Sequence, residues 1–483
     1  MRLFLRSAAF GVISTTLACA STSSSSTTST SIGVGAATTP AGGARVACAT
    51  GLVGITLPPG FCATVFADSL GPARHMAVAP NGDVFVAIGN RGQTRGGVVA
   101  LRDSDRDGRA DVQRRFGNGG GTGIGLANGY IYVDAAPAIL RYPLPAGQLE
   151  PSGPPDTVVT GLPTGGHGAR TFVIDGSALL VDVGSRTNSC QEADRQAESP
   201  GIADCPERET RAGIWQFDVN RLNQTQASAQ RFATGIRNAV AFTKHPTTGE
   251  LYAMQHGRDQ FFQNWPKLYD AKESAEGPSE EMLLVKQGND YGWPFCYHDR
   301  EKDKEVLAPE YGGDKTTQGR CVNVTPPIGS YPGHWGPNDL MFYTGTQFPE
   351  QYRGGAFIAF HGSWNRDPEP QAGYHVVFNR MVNGRPTNDF EVFADGFAGE
   401  TKQPRGAVYR PTGLAQGSDG SLYISDDVKG RIWRVIYVGA GTRYSPSHPE
   451  PTGEGSQSSR QRPSAGIIAI PRYARDDTTR EAT

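Results

Sequence analysis

A hairpin pattern recurs through the central part of this chain and limits the folds open to it. A short apolar run, a turn containing Gly or Asn, and a second β-rich run follow one another in residues 76–87, 125–133, 171–181, 239–254 and 413–424. Antiparallel strands joined by tight turns produce this pattern. Helical periodicity is nearly absent. The roughly blade-sized spacing of the copies predicts an all-β fold and favours a β-propeller, with a β-sandwich as the main rival.

The two ends of the chain differ from its centre. Arg2 and Arg6 flank the start of an apolar stretch that runs to Ala20, which is too short to span a bilayer and indicates a signal peptide in residues 1–20. The stretch Thr16 to Cys19 resembles a bacterial lipobox, so Cys19 is a candidate for lipid anchoring, although ordinary signal cleavage is the alternative. We therefore expect an exported protein, periplasmic or in the cell envelope.

Composition divides the rest of the chain into a linker, a folded domain and a tail. Residues 21–45 are rich in Ser, Thr and Gly and predict a flexible linker, and residues 441–483 are polar and rich in Pro, Gly and Ser, which predicts a disordered tail. The folded domain is expected in residues 46–440. The formal charge is −2 and no basic stripe is present, so nucleic acid is not expected as a partner.

The cysteines agree with export. Seven are present, and setting Cys19 aside leaves an even number, as in a disulfide-bonded exported chain. Their spacing suggests three local bridges, Cys48–Cys62, Cys190–Cys205 and Cys296–Cys321, although the sequence leaves other pairings open.

Several short motifs together resemble one enzyme family. They are Gly-His at 166–167, Arg-Asn at 237–238, Gly-Pro-Ser-Glu-Glu at 277–281, Asn-Asp-Tyr-Gly-Trp-Pro at 289–294 and His-Gly-Ser-Trp-Asn-Arg at 361–366. With the stretch from Arg410 to Arg434, they resemble the soluble pyrroloquinoline quinone (PQQ)-dependent sugar dehydrogenases over residues 57–437. The resemblance is to the glucose/sorbosone dehydrogenase family and its sorbosone and pyranose dehydrogenase branch. It implies a six-bladed β-propeller, PQQ and Ca²⁺ as cofactors, a sugar substrate, and a separate electron acceptor such as a cytochrome or a quinone.

The resemblance implies two catalytic residues. His167 would be the general base that takes a proton from a sugar hydroxyl, and Arg237, with Asn238, would lie near the quinone. A structural histidine, and an arginine that caps backbone carbonyls, are the plainer alternatives. Gly166 stands where glucose-oxidising members carry Asp, so their substrate preference does not transfer.

Other residues are candidates for cofactor or metal binding. Arg410 suits a carboxylate of PQQ, His361 and Trp364 follow an apolar strand and would face cofactor or substrate, and Arg74 and Arg186 are weaker rim candidates against ordinary surface cations. By resemblance, the carbonyls of Gly277 and Pro278 would bind Ca²⁺, and Glu281 and the Tyr291 carbonyl match further calcium positions. The alternative for Glu280 and Glu281 is a solvated acidic turn.

Two features leave other functions open. The loop from Asp103 to Asp111 spaces its carboxylates like a calcium loop, but Arg114 stands where the bidentate Glu would be, so a hairpin turn is the better interpretation. A propeller is also compatible with a non-catalytic glycan- or protein-binding module and with a calcium-dependent hydrolase of the lactonase type.

Overall fold

A computed structural model describes residues 54–92 and 95–439 of the chain. The predicted signal peptide, the linker, the predicted tail, Cys19 and Cys48 lie outside the described residues, so the expectations that concern them stay predictions. Within the described part, no helix has both the length and the apolar character needed to cross a membrane.

The described strands form six four-stranded antiparallel sheets and one extra hairpin. We name the sheets blades 1 to 6 in chain order. Blade 1 holds β2 (Ala73–Val78), β3 (Val84–Ile88), β4 (Gly97–Arg102) and β5 (Val112–Phe116). Blade 2 holds β6 (Ile124–Ala127), β7 (Tyr130–Ala135), β8 (Ala138–Pro143) and β9 (Asp156–Val159). Blade 3 holds β10 (Phe172–Asp175), β11 (Ala178–Val183), β12 (Gly213–Asp218) and β13 (Gln230–Thr234).

The other blades carry longer insertions. Blade 4 holds β14 (Ala241–Lys244), β15 (Leu251–Gln255), β16 (Glu280–Val285) and β19 (Gly329–Tyr331), and the extra hairpin β17 (Cys296–Asp299) and β18 (Lys304–Leu307) interrupts it. Blade 5 holds β20 (Pro337–Phe342), β21 (Ala356–Phe360), β22 (His375–Val382) and β23 (Arg385–Ala394). Blade 6 holds β24 (Pro411–Gln416), β25 (Leu422–Asp426), β26 (Ile432–Tyr437) and β1 (Phe61–Ala67).

Helices are short and few in the described residues. The α-helices are α1 (Phe261–Asn264) and α2 (Ala271–Glu276), both in the insertion after β15. The 3₁₀ turns are Pro206–Glu209, Gln226–Ser228, Pro309–Tyr311, Gly319–Asn323 and Glu350–Tyr352. The absence of helical periodicity in the sequence agrees with this content.

The blades close into a ring. The first strand of each blade contacts the first strand of the next, in the order β2, β6, β10, β14, β20, β24 and back to β2. The N-terminal strand β1 completes blade 6 by pairing with β26, from Phe61 opposite Tyr437 to Ala67 opposite Ile432. The fold is therefore a six-bladed β-propeller, as predicted, and the sandwich alternative is wrong.

A hydrophobic cluster lies between each pair of neighbouring blades. In β11, for example, Leu179 and Val181 pack toward blade 2 whereas Leu180 packs toward blade 4. Because successive side chains of a strand point to opposite faces, a strand buried on both faces is apolar almost throughout. This explains why the recurring hairpins contain apolar runs more often than strict alternation.

The five hairpins found in the sequence are the first two strands of blades 1, 2, 3, 4 and 6. Blade 5 was missed because a long segment without a compact turn separates the strands of its first hairpin, from Phe342 to Ala356. The predicted bridges Cys190–Cys205 and Cys296–Cys321 are both present. The loop at Asp103 joins β4 to β5 and is a hairpin turn, with three of its carboxylates within 4.8 Å of one another.

Candidate active site

The polar motifs converge because of where they stand in each blade. Arg237 and Asn238 precede the first strand of blade 4, His167 precedes that of blade 3, and Arg410 directly precedes that of blade 6. His361 and Arg186 instead follow second strands. In an antiparallel hairpin the start of the first strand and the end of the second lie at the same edge. All of these residues are therefore at one end of the propeller axis.

A cavity of about 580 Å³ opens at this end. That volume is within the range typical of small-molecule sites. Its lining is polar and rich in arginine and histidine, and consists of Gly166, His167, Arg186, Arg195, Arg237, Asn238, His256, Gly257, Asp259, Glu280, His334, Gly336, Asn338, His361, Gly362, Trp364, Asn365 and Arg410. Seven of the eight residues predicted for catalysis or cofactor binding are among them, and the eighth, Arg74, is not. Their roles stay predictions.

His167 presents one ring nitrogen to the cavity in a defined protonation state. Its Nδ1 lies 2.9 Å from Ser185 Oγ and 3.0 Å from the Ser185 carbonyl oxygen. Ser185 Oγ donates its own hydrogen to the Thr187 carbonyl at 2.7 Å, so both groups facing Nδ1 act as acceptors. Nδ1 therefore carries the hydrogen, and Nε2 keeps a lone pair with no partner among the described residues.

The surroundings of His167 keep the ring neutral. Burial lowers the pKa of the imidazole well below its ordinary value, and the positive charge of Arg237 acts in the same direction. A ring that is neutral near pH 7 can accept a proton at Nε2. This arrangement is what the predicted role of general base requires, and the role itself stays a prediction.

Arg237 lines the cavity and also links several segments of its wall through hydrogen bonds. It is 2% exposed, and its Nε and Nη atoms donate to the carbonyl of Asn188 at 3.0 Å, the carbonyl of Gly257 at 2.9 Å, the Asn188 side chain at 3.0 Å and Asp259 Oδ2 at 2.8 Å. The alternative in which this arginine binds backbone carbonyls is therefore correct as a description of its contacts. The same contacts fix a positive charge beside His167.

Two other arginines of the cavity, and Trp364, have side-chain groups without a hydrogen-bond partner in the described residues. Arg410 donates to the carbonyls of His361 and Gly362 through Nε and Nη2, which leaves Nη1 without a partner in the described residues. Arg186 is exposed, and its side chain has no hydrogen bond or ion pair with any described residue. Trp364 is 53% exposed at the cavity mouth, where the Arg195 guanidinium lies 5.8 Å from the ring centre. These groups are available to a ligand.

Arg74 acts on the cavity through two other residues. Its Nη1 donates to Asp427 Oδ2 at 2.9 Å, and Asp427 Oδ1 lies 2.9 Å from His361 Nε2. Burial lowers the pKa of His361 to about 4, even though Asp427 opposes the shift. A neutral His361 donates from Nε2 to the carboxylate and presents Nδ1 as an acceptor. Arg74 therefore supports the Asp427–His361 pair, and its predicted place at the rim stays a prediction.

The four predicted metal residues are not gathered around one point. The Gly277 carbonyl accepts from the Arg300 amide at 3.0 Å, whereas the Pro278 carbonyl has no hydrogen-bond donor among the described residues. Glu281 accepts from Gln255 at 2.9 Å, and Tyr291 packs in the cluster between blades 3 and 4. Neither lines the cavity.

Glu280 lines the cavity instead, although it was not among the predicted site residues. It is 1% exposed and accepts the backbone N–H groups of Gly257 at 3.2 Å and Gly336 at 3.3 Å. Burial raises the pKa of Glu280 to about 8. The solvated-turn alternative is wrong for this carboxylate and for Glu281, which is 4% exposed.

Gly166 is required by close packing beside the base. Its φ is +67°, and a Cβ there would lie 2.5 Å from the Arg186 Cα and 2.6 Å from the Arg186 carbonyl oxygen. No side chain fits without moving the segment that binds His167. The absence of an Asp at this position therefore has a steric basis in this chain.

A pair of adjacent glycines allows this packing to be tested. Gly165 has φ +73° but no described atom within 4 Å of the place that a Cβ would take, so Gly165→Ala would carry only the cost of backbone strain, about 1 kcal/mol. Gly166→Ala adds a clash and should lower the free energy of unfolding by about 1–3 kcal/mol more. Denaturant unfolding of both variants measures the difference in unfolding free energy. Equal stabilities would show that residues 185–186 move aside at no energetic cost.

Several cavity residues escaped the sequence analysis. They include Arg195, His256, Asp259, His334 and Asn365. One signal was available, since His256-Gly257 follows the second strand of blade 4 as His361-Gly362 follows that of blade 5. Arg195, Asp259 and His334 lie in irregular segments, where no repeat marks them, whereas Asn365 is part of the motif at 361–366 but was not singled out.

Two curated proteins are similar in sequence to part of this chain. The chain is 29% identical over 274 residues to an uncharacterized protein of Borreliella burgdorferi, covering 56% of this chain and 61% of that protein. It is 24% identical over 283 residues to the pyrroloquinoline quinone-dependent pyranose dehydrogenase of Coprinopsis cinerea, covering 49% of this chain and 36% of the enzyme. The matches thus span less than two thirds of the length of these curated relatives.

Solved structures of low sequence identity share the architecture. The PQQ domain of the Coprinopsis cinerea pyranose dehydrogenase, in its holo form, aligns with a TM-score of 0.64 at 19% identity, covering 79% of this chain and 97% of that one. A Trichoderma reesei protein of Carbohydrate-Active Enzymes Family AA12, in a calcium structure, aligns with a TM-score of 0.65 at 19% identity and the same coverage. The sequence model of the TrAA12-like family matches residues 55–438, which is nearly all of the described propeller. The chain belongs to the TrAA12-like family.

Proposed function

We propose that this chain is a PQQ- and Ca²⁺-dependent dehydrogenase that oxidises a sugar or a sugar-derived aldehyde or polyol. The observation that carries the proposal is the cavity itself, where a histidine with a free lone pair stands among four arginines and only two carboxylates. Family membership and the name of the Coprinopsis cinerea relative support the choice of cofactor.

The residues present fit a planar tricarboxylate. Arg186 and the free Nη1 of Arg410 would bind carboxylate groups, and the exposed indole of Trp364 offers a flat face. Asn238 and Asn365 each have a buried side-chain oxygen with no partner in the described part of the chain, so both can accept a hydrogen bond from a ligand. When bound, PQQ would supply the acceptor for hydride.

The chain itself would supply the acceptor for the proton. Oxidation of an alcohol carbon removes a proton from its oxygen and a hydride from the carbon. His167 Nε2 would take the proton, because the hydrogen on Nδ1 and the lowered pKa leave its lone pair free. The fixed charge of Arg237 would stabilise negative charge that develops in the cavity.

Oxygen donors for a hard cation lie at the same wall. The free carbonyl of Pro278 is 3.2 Å from the position that a Cβ on Gly257 would take, and Glu280 adds a buried carboxylate. We propose that these two groups are calcium ligands, and Gly277 stays a prediction because its carbonyl already accepts from the Arg300 amide. We leave Glu281 and Tyr291 as predictions for a separate cation, because they do not face the cavity.

The balance of charge distinguishes this function from its alternatives. A metal-dependent lactonase needs several carboxylates that grip the cation. In the described cavity wall, arginines outnumber carboxylates by four to two, which suits an anionic cofactor better. A glycan-binding propeller needs no neutral histidine with a free lone pair.

Dye reduction by the purified protein tests the proposal. We expect turnover of aldoses, sorbosone or polyols only when PQQ and Ca²⁺ are both added, and loss of turnover when either is omitted or when calcium is chelated. Absence of PQQ binding, measured by its absorbance, would contradict the proposal. Hydrolysis of a lactone without PQQ would point to the alternative.

We also propose that the enzyme works outside the cytoplasm and delivers electrons to a separate acceptor, a cytochrome or a quinone. The two disulfides in the described residues support an oxidising compartment. Lipid anchoring through Cys19 stays a prediction, which mass analysis of the mature N-terminus would check.

A further inference from the structure

Asp259 is the point at which separate segments of the cavity wall meet. It follows β15 in blade 4, is 8% exposed and lines the cavity. Its Oδ2 accepts from Arg237 Nη2 and from Arg195 Nη2, each at 2.8 Å. Its Oδ1 accepts from Asn365 Nδ2 at 2.6 Å. One carboxylate therefore ties blade 4 to an insertion of blade 3 and to the loop after β21.

The backbone of Asp259 is fixed from the other side. Asn188 donates from Nδ2 to the Asp259 carbonyl at 2.9 Å and accepts the Asp259 amide on Oδ1 at 2.9 Å. The same Oδ1 accepts from Arg237 Nη2 at 3.0 Å. Asn188 is fully buried, so this reciprocal pair holds the carboxylate in one orientation.

Arg195 lines the cavity, and apart from the nearby Trp364 ring its guanidinium is held mainly by this carboxylate and one amide. Besides Asp259, its guanidinium donates to Gln260 at 2.8 Å and has the partly exposed Asp194 as a distant partner at 3.9 Å. Arg195 stands in the loop closed by the Cys190–Cys205 disulfide, with its side chain 30% exposed. Asp259 is therefore the main charged anchor that holds this loop against the cavity.

Asp259 also affects the pKa of His167. Arg237, His256 and Arg195 face His167 and lower its pKa, whereas Asp259 faces it and raises its pKa. A single anion thus offsets part of the effect of several cationic or ionisable neighbours. Removing it would leave Arg237 and Arg195 close together without a shared counter-charge.

We propose that Asp259 is the positioning residue of this site, which holds Arg237, Arg195 and Asn365 around the cavity and orders the loop of residues 190–205. The proposal deepens the proposed dehydrogenase function, but its first test does not depend on that function. It assigns no contact between Asp259 and a reacting atom.

Asp259→Asn in the full chain tests the proposal without cofactor. The amide keeps the volume of the side chain but removes its charge and one acceptor. We expect faster amide hydrogen exchange in residues 190–205 and a downward shift of the His167 titration, followed by NMR of protein labelled in histidine. Asp259→Glu keeps the charge and should restore the His167 titration toward that of the wild type.

Asp83→Asn is the matched control, because Asp83 is 2% exposed and is bound by Arg102 Nε and Nη2 at 2.7 Å, far from the cavity in the turn of blade 1. This variant should lose stability without changing exchange in residues 190–205 or the His167 titration. Unchanged exchange and titration in Asp259→Asn, or the same changes in Asp83→Asn, would overturn the proposal.

If the protein is the proposed dehydrogenase, turnover provides a second measurement. Displacing cavity groups by about 1 Å can cost about 10²-fold in rate, so kcat/KM of Asp259→Asn should fall by about that factor with PQQ saturating. The acid limb of its pH profile should move to lower pH. If the wild type shows no PQQ-dependent turnover, the proposed function fails while the exchange and titration results still decide the role of Asp259.

Discussion

His167→Gln is expected to lower kcat by about 10²–10⁴-fold while PQQ still binds, because the variant keeps a polar side chain but loses the base. In the wild type, Ser185 holds the hydrogen on Nδ1 and leaves Nε2 free. Glutamine can still donate to Ser185 but has no group that takes a proton near neutral pH. Dye reduction at saturating PQQ and Ca²⁺, together with a PQQ titration, separates turnover from binding.

The pH dependence of the wild type should agree with the same assignment. Burial and Arg237 lower the pKa of His167 well below its ordinary value. On the proposed assignment the base is active at neutral pH and is lost only as the pH falls through that lowered pKa, so the acid limb of kcat/KM should lie well below about pH 6.5. His245→Gln serves as a control on a histidine between β14 and β15, outside the cavity lining. Retained turnover in His167→Gln would exclude His167 as the base.

Arg237→Met is expected to damage both stability and turnover. The guanidinium has an ion pair with Asp259 at 2.8 Å and is 2% exposed, so methionine would leave a buried carboxylate and several acceptors without this partner. Removing one partner of a buried ion pair costs about 3–5 kcal/mol of unfolding free energy. Turnover should fall as well, because the fixed positive charge beside His167 is lost.

Lys244→Met provides the contrast. Lys244 and Asp175 form an ion pair at 2.6 Å with side chains 32% and 49% exposed, and such pairs contribute about 0–1 kcal/mol. Denaturant unfolding of both variants, with dye reduction measured in parallel, separates the two effects. An Arg237→Met protein as stable as Lys244→Met would show that the contacts of Arg237 are not a structural tie, and full turnover would exclude its electrostatic role.

The sequence identified the site residues that sit beside regular strands. His167, Arg237, Asn238, His361 and Arg410 flank the first or second strands of blades and all line the cavity. Their position relative to a repeated hairpin is a local property, so motif and repeat together predict where they point. Residues of the long insertions have no such reference, which is why Asp259 was missed.

The difference between a local motif and the tertiary structure also explains where the predicted metal residues lie. Gly277 and Pro278 lie at the end of α2, and Glu280 and Glu281 begin β16. Successive residues of a strand point to opposite faces, so only one of the two glutamates can face the cavity. The motif contains both residues, and the register of β16 against β15 places Glu280 in the cavity wall and Glu281 against Gln255.

The all-β repeat, two of the disulfides, the family and the polar residues at blade edges could be predicted from local information in the sequence. Each of these features depends on periodicity, short-range spacing or a motif. The free ring nitrogen of His167 depends on Ser185 within the fold of blade 3. Two other properties required the folded ring: which insertions reach the axis, and which side chain is the common anchor of the arginines. Those properties depend on contacts between residues as far apart as Asp259 and Asn365, or Arg74 and Asp427. Such contacts exist only once the ring of blades has closed, because closure brings loops from different blades to the same end of the axis.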